Sequence, residues 1–295
     1  MLNSGLTGRQ LNDAIRERFD VYMSVGCDDA GTVLFTGYYT PIFDGSPVQT
    51  GQFQYPLYRQ PDDLVKGDNG QILGRKAPDG SISPYPARAE IENSNMLAGN
   101  EIIWLDDPFK VYVAHVQGSV IIRMPDGQLV TYGYAANNGY EYHSIIKELI
   151  NEGKIPPDRV NLNSLIDYFK ANFLLVKQYT QLNPRFVFFR KASANEGPRG
   201  SLNEMVTPYR SIATDKTIFP RAAIVFFSTK LPRQLANQIY IDPFAGFALD
   251  QDTGGAIRAA GRCDIYLGQG EEAGKLAGQT YQEGRLYYIF LKPGF

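Results

Sequence analysis

The chain has 295 residues, 29 Lys and Arg against 31 Asp and Glu, a formal net charge of −2 and 43% hydrophobic content. That length suits about two domains with real cores, and the balanced charge argues against a nucleic-acid partner. Two cysteines, Cys27 and Cys263, exclude a disulfide scaffold or a structural zinc site. Two histidines, His115 and His143, leave the carboxylates as carriers of any chemistry.

Aromatic residues reach 13%, nearly all Tyr and Phe, and 29 Gly and 18 Pro punctuate the chain. This composition favours short strands and turns, and tyrosine suits a wet groove for polar ligands. No run approaches the ~18 apolar residues of a membrane span. The start shows no signal peptide, and Ser24-Val25-Gly26-Cys27 resembles a lipoprotein processing site without the apolar run before it. The expectation is a cytoplasmic protein, or a mature form whose export signal has been removed.

In chain order, Leu11, Ile15 and Phe19 predict a helix over 7–20. Strands are expected at 32–39 and 52–58, then a turn-rich excursion over 60–86. Residues 110–123 alternate as a strand around Gly118, which places His115 on a strand. Pro125-Asp126-Gly127 then turns that strand into 128–134 as a hairpin. Helices are expected over 143–152, with His143 at the start and Gly153 past the end, and over 164–173. Short strands return at 186–189, 222–228, 239–249, 256–259 and 286–291. The pattern is a mixed segment of about 90–185 set inside an all-β remainder.

The stretch 249–268 carries the most chemistry. Asp252 closes one strand and Asp264 lies twelve residues on, in the next. Gly254-Gly255 between them suit a φ > 0 turn that would bring the carboxylates together. Asp215, beside a turn, is a third candidate or an Asx-turn. Cys263 should point to the opposite strand face from Asp264 and be inert. Asp252-Thr253-Gly254 resembles an aspartic-protease loop, but such enzymes need two loops and this chain has one. The three aspartates could hold Mg²⁺ or Ca²⁺, yet the dense spacing of a calcium loop is missing. There is no phosphate-cradling glycine motif and no Gly-x-Ser-x-Gly elbow.

In their contexts, Asp215, Asp252 and Asp264 resemble the three-aspartate 3D domain of the membrane-bound lytic murein transglycosylase A family. Six further segments resemble that family in order: Gly37-Tyr38-Tyr39-Thr40-Pro41, Phe53-Gln54-Tyr55-Pro56-Leu57-Tyr58-Arg59, Arg88-Ala89-Glu90-Ile91, Val116-Gln117-Gly118-Ser119, Asn137-Asn138-Gly139 with Tyr142, and Asn183-Pro184-Arg185-Phe186-Val187-Phe188-Phe189. The resemblance implies a mainly β fold, with a double-psi β-barrel built from both chain ends, residues 1–87 and 186–295. A smaller α+β domain, 88–185, would be inserted to bind substrate, with a groove between the two.

The resemblance also implies non-hydrolytic cleavage of the β-1,4 MurNAc–GlcNAc bond of peptidoglycan, leaving 1,6-anhydro-MurNAc ends. It maps the catalytic acid/base onto Asp264, with Asp252 in support. Tyr38, Tyr39, Thr40, Gln117, Gly118, Ser119 and Asp215 become candidates for binding the glycan, although Tyr38 and Tyr39 equally suit strand packing and Gly118 a β-bulge. It implies glycan strands as partner, no cofactor or metal, and a periplasmic or outer-membrane location. The alternatives are a non-catalytic, carbohydrate-binding double-psi barrel and a metal enzyme using the three aspartates.

Overall fold

The computed structural model describes residues 5–68, 70–156, 162–193, 196–236 and 238–294. Residues 1–4, where an export signal would begin, lie outside it. The first elements are α1 (Gly8–Arg18), β1 (Phe19–Met23), β2 (Val33–Thr40), β3 (Ile42–Ser46) and β4 (Tyr55–Tyr58). There follow β5 (Leu64–Lys66), β6 (Ile72–Lys76), β7 (Ile82–Ser83), α2 (Arg88–Glu92) and β8 (Glu101–Leu105). Then come α3 (Pro108–Gln117), β9 (Ser119–Arg123), β10 (Leu129–Asn137), α4 (Ile145–Asn151), α5 (Leu162–Ala171) and α6 (Val176–Thr180). The chain ends through β11 (Val187–Lys191), β12 (Ser211–Ala213), β13 (Ala223–Leu235), β14 (Gln238–Asp252), β15 (Arg262–Gln269), α7 (Gly270–Gly278) and β16 (Tyr281–Leu291).

These elements form two compact units: residues 1–37, 200–267 and 280–295, and residues 38–199 with 268–279. The division falls after Gly37, whereas the sequence reading assigned everything up to 87 to the barrel. Pairing explains the difference, because β3 runs parallel to β9 and β4 pairs antiparallel with β8.

In the first unit the strand order β16-β13-β14-β12-β15-β2 closes on itself through β16 and β2, giving a six-stranded barrel with β1 added outside it on β16. The closing register runs from Tyr281 opposite Thr36 to Gly284 opposite Val33. Most neighbours are antiparallel, but β12 lies parallel to β14 and antiparallel to β15. This is the double-psi barrel with an inserted second unit that the resemblance implies. Alternation builds its core: Val225 and Phe227 on β13, Phe35 on β2 and Leu286 on β16 are fully buried. The Phe35 and Phe227 rings stack at 5.6 Å.

One polar cluster sits inside this core. Asp250, fully buried, pairs with Lys216 and accepts hydrogen bonds from Thr214 Oγ1 at 2.7 Å and Tyr288 Oη at 2.6 Å. Lys216 also donates to Thr214 Oγ1 at 2.9 Å. Removing either charge would leave the other buried and unpaired, which costs several kcal/mol.

The second unit holds the six-stranded sheet β11-β10-β9-β3-β8-β4 and the three-stranded sheet β5-β6-β7. Helices α3 to α6 share an aromatic core of Phe109, Tyr112, Phe169 and Tyr179. Three expectations are corrected here and in the barrel. Residues 110–123 are not one strand: their first part is helix α3. Asp107 caps it by accepting from Phe109 N at 2.7 Å, Pro108 opens its first turn, and Gly118 ends it at φ 75°. His115 is therefore helical and Gly118 is a helix terminus, not a bulge. The turn-rich excursion over 60–86 carries a small sheet, β5-β6-β7, where no strand was expected. Residues 256–259 form a turn, not a strand.

Gly284 is the tight point of the closing register, opposite Val33. A Cβ on Gly284 would lie 2.2 Å from Ser228 O and 2.9 Å from the Phe35 ring, so Gly284→Ala must push β16 from β13. Urea unfolding of that variant is expected to show a loss of about 1–3 kcal/mol, whereas Gly51→Ala, at a site with open space, serves as the neutral control.

Candidate active site

On β15, alternation buries Cys263 completely and turns Asp264 to the opposite face, where it is partly exposed. Burial and the nearby carboxylates Asp250 and Asp264 push the Cys263 thiol well up, so it is an inert core residue. Asp264 accepts a hydrogen bond from Thr36 Oγ1 on β2. Thr36 Oγ1 in turn accepts from Arg262 Nη2 at 3.2 Å. Burial raises the Asp264 carboxyl from 3.8 to about 6, Arg262 opposes that rise, and the charge of Asp252 adds to it.

The short strand β12 sets the spacing of the two carboxylates. Ala213 is opposite Asp252 on its parallel side and opposite Asp264 on its antiparallel side. Two strand spacings put the aspartate Cα atoms roughly 10 Å apart. Asp252 accepts from Ser201 N and Thr253 N, both at 2.8 Å. Gly200 permits the first of these, since a Cβ there would lie 2.7 Å from Gln251 O.

The loop between the aspartates is held differently from the expectation. Neither Gly254 nor Gly255 has positive φ; the left-handed residue is Ala259, at φ 76°. Its N–H donates to Asp215 Oδ2 at 2.9 Å. Asp215, 4% exposed, also accepts from Thr217 N at 3.0 Å and Thr217 Oγ1 at 2.7 Å. Burial alone would raise its pKa, but these bonds and the Arg258 charge outweigh it and hold the carboxyl low. Both Asp215 oxygens are thus spent on the protein, and its place is that of a loop anchor. Among the described residues, no three His, Cys, Asp or Glu side chains are grouped to hold a metal ion.

In the second unit, the six candidates for sugar contact divide into two sets. Tyr39, 6% exposed, packs its ring where a Cβ on Gly274 of α7 would come within 2.9 Å, and burial raises its hydroxyl to about 12. Thr40 and Ser119 are buried with their hydroxyl oxygens 3.3 Å apart. Tyr38, Gln117 and Gly118 keep partly exposed surfaces, and Gln117 Oε1 accepts from Tyr39 N at 3.3 Å. Neither histidine joins a site. His115 is 5% exposed, its Nδ1 lies 3.1 Å from Arg88 Nη2, and burial with Arg88 holds its pKa well below the usual value. His143 precedes α4 and meets Glu148 at 2.9 Å.

Sequence reasoning missed Thr36, Arg262 and Ser201. Arg262 had a signal, because two residues before Asp264 on a strand means the same face. Thr36 and Ser201 had none, since pairings across more than 200 and about 50 residues bring them in.

Residues 34–190 match the family pattern described as the MltA specific insert domain, and residues 210–290 match the 3D domain. Membrane-bound lytic murein transglycosylase A of Escherichia coli strain K12 is 29% identical over 282 residues, covering 93% of this chain and 70% of that protein. The homologue from Buchnera aphidicola is 29% identical over 272 residues, covering 91% and 69%. Among solved structures, a membrane-bound lytic murein transglycosylase from Agrobacterium tumefaciens superposes with a TM-score of 0.82 at 26% identity, covering 98% of this chain and 81% of that one. E. coli MltA with bound chitohexaose superposes with a TM-score of 0.77 at 27% identity, covering 97% and 79%. The insert pattern alone spans more than half of the sequence and the 3D pattern covers the strands that carry Asp252 and Asp264: this chain belongs to the MltA family.

Proposed function

We propose that this enzyme is a lytic transglycosylase that cleaves the β-1,4 MurNAc–GlcNAc bond of peptidoglycan with Asp264 as its single acid/base. The observation that carries this reading is one carboxyl, raised to about 6 by burial, on a partly exposed barrel face and hydrogen-bonded by Thr36. An ordinary glycosidase needs two carboxyls, one of them to activate water or attack C1. Here Asp264 first donates its proton to the glycosidic oxygen as that bond breaks. Its carboxylate then takes the proton of the muramoyl C6 hydroxyl, whose oxygen bonds to C1 of the same ring. Intramolecular attack gains from proximity, so no positioned water is needed.

The neighbours have distinct parts. Asp252 is held by Ser201 and Thr253; its charge disfavours early ionisation of Asp264 and suits the positive charge developing at C1. Arg262 limits the pKa rise and holds Thr36, which orients the carboxyl. Asp215 positions the loop through Ala259. In the second unit, which is the substrate-binding domain in this reading, Tyr38, Gln117 and Gly118 meet sugar hydroxyls and N-acetyl groups, while Tyr39, Thr40 and Ser119 support them from below. The relatives are named as membrane-bound, which supports a periplasmic, outer-membrane-associated location for this chain. No helix among the described residues is long and apolar enough to cross a membrane.

Digestion of purified sacculi with mass spectrometry of the products tests the reaction. Anhydro-muramoyl ends are expected; reducing ends would mean hydrolysis, and no products would mean a binding protein. Asp264→Asn is expected to lower turnover by at least about 10³-fold while glycan binding persists, and wild-type-like turnover in that variant removes the assignment.

The pH profile gives a second, signed test. Activity is expected to fall above pH about 6 as the acid form is lost. Arg262→Met removes the opposing charge and moves that limb to higher pH, whereas Asp252→Asn moves it to lower pH. Stability follows the same group. The folded pKa lies above the unfolded one, so the contribution is full below about 3.8 and is lost as pH rises through about 6. Asp264→Asn is therefore expected to be more stable than the wild type at pH 7.5, by about 1–3 kcal/mol in urea unfolding, with the difference vanishing near pH 4.

A further inference from the structure

The second unit contains a cavity of about 470 Å³ that none of these candidates lines. It lies at the first turns of α3, where Pro108, Val111 and Tyr112 face it, while Gln117 ends the same helix. At 1.5 Å per residue, Pro108 and Gln117 are about 13 Å apart along the axis. The cavity is thus a separate feature from the Tyr38–Gln117–Gly118 surface of the same unit.

Its walls are aromatic and its charges are unequal. Tyr55, Tyr58 and Phe173 provide ring faces, with Tyr55 and Phe173 edge to face at 6.4 Å. Burial, with Glu101 and Glu92 nearby, raises the Tyr58 hydroxyl to about 12, so it stays a neutral donor. Arg88 is spent within the protein: its guanidinium donates to Asn183 O, Arg185 O and Glu92. Glu92 accepts from Arg88 and from Gln181 Nε2 at 3.1 Å, so its charge is answered. Lys177 lines the cavity, is exposed, and makes no ion pair among the described residues. Ring faces, hydroxyls and one free ammonium match an amphipathic ring that carries an anion.

We propose that this cavity is a second saccharide site, which takes an N-acetylated pyranose bearing a carboxylate, with the ring against Tyr55 and Phe173 and the carboxylate at Lys177. The identity of that sugar as a muramoyl residue of glycan rests on the proposed function. Occupancy by a second stretch of strand raises the effective concentration of glycan at the enzyme. This compensates for a net charge of −2, which gives no long-range attraction to an anionic polymer.

The test uses the full chain carrying Asp264→Asn, so that nothing is turned over. Calorimetry and NMR shift mapping follow titration with an alternating GlcNAc–MurNAc tetrasaccharide free of peptide, and with chitotetraose, which lacks the carboxylate. Two equivalents of the first ligand are expected, one of them shifting resonances around Tyr55 and Phe173. Adding Lys177→Met is expected to weaken that second site at least fivefold for the carboxylate-bearing ligand and to leave chitotetraose unchanged. Phe173→Ala is expected to weaken both ligands there. A single equivalent, two equivalents that neither variant alters, or a free stem peptide saturating the cavity where the saccharide does not would each overturn the proposal. Anhydro ends from the wild-type digest are read independently, so failure of the second site and failure of the cleavage reading cannot be confused.

Discussion

The pairing of β16 with both β13 and β2 is the constraint on which the first unit depends. It converts a sheet into a ring, and a ring fixes the stagger of every strand in it. The position of Thr36 against Asp264 follows from that stagger, because β2 carries the hydroxyl and β15 the carboxyl. The position of Ala213 between the two aspartates follows as well. An open sheet could slip by a residue and turn Asp264 into the core; in the closed one β15 is held by its ladders to both β12 and β2.

Within that ring, polar groups are separated by depth. Asp250, Lys216, Thr214 and Tyr288 answer one another inside the core, whereas Asp264 faces outward with one hydroxyl donor and a cation held one atom away through Thr36. The difference decides what each carboxylate can do. Asp250 meets an ammonium and two hydroxyls, so its oxygens are taken up within the protein. Asp264, partly buried and only indirectly paired, has its carboxyl raised to about 6. In the proposed reading, two aspartates fourteen residues apart serve structure and chemistry through their different environments.

The alternation that made 222–228, 239–249 and 286–291 readable as strands is the alternation that fills the barrel with Val225, Phe227 and Leu286. The parallel β12–β14 contact was not readable, because Ser211–Ala213 is three residues long and has no period to detect. Helix α3 was misread because Val111, Val113 and the aromatic residues around them suit a strand as well as a helix. Its end signals, Asp107-Pro108 and Gly118, were in plain view and were the better guide. Among the site residues, Asp264 stood out by resemblance to a family rather than by its own neighbourhood in sequence. Its pKa depends on Arg262 nearby, on Asp252 across β12 and on burial, and only the first of these is local.

Barrel closure also has a temporal side. β2 and β16 are separated by some 240 residues, so the ring shuts only through a pairing of very long sequence separation. Nearly all of the second unit, by contrast, is one uninterrupted segment, 38–199. Its sheets and helices can form from contacts within that segment while β1 and the start of β2 wait for partners more than 200 residues on. Such long-range pairings are slow and leave strand edges open in the interval. The closure that keeps Asp264 on its face thus also makes that face slower to form than the second unit, whose pairings are mostly closer in sequence.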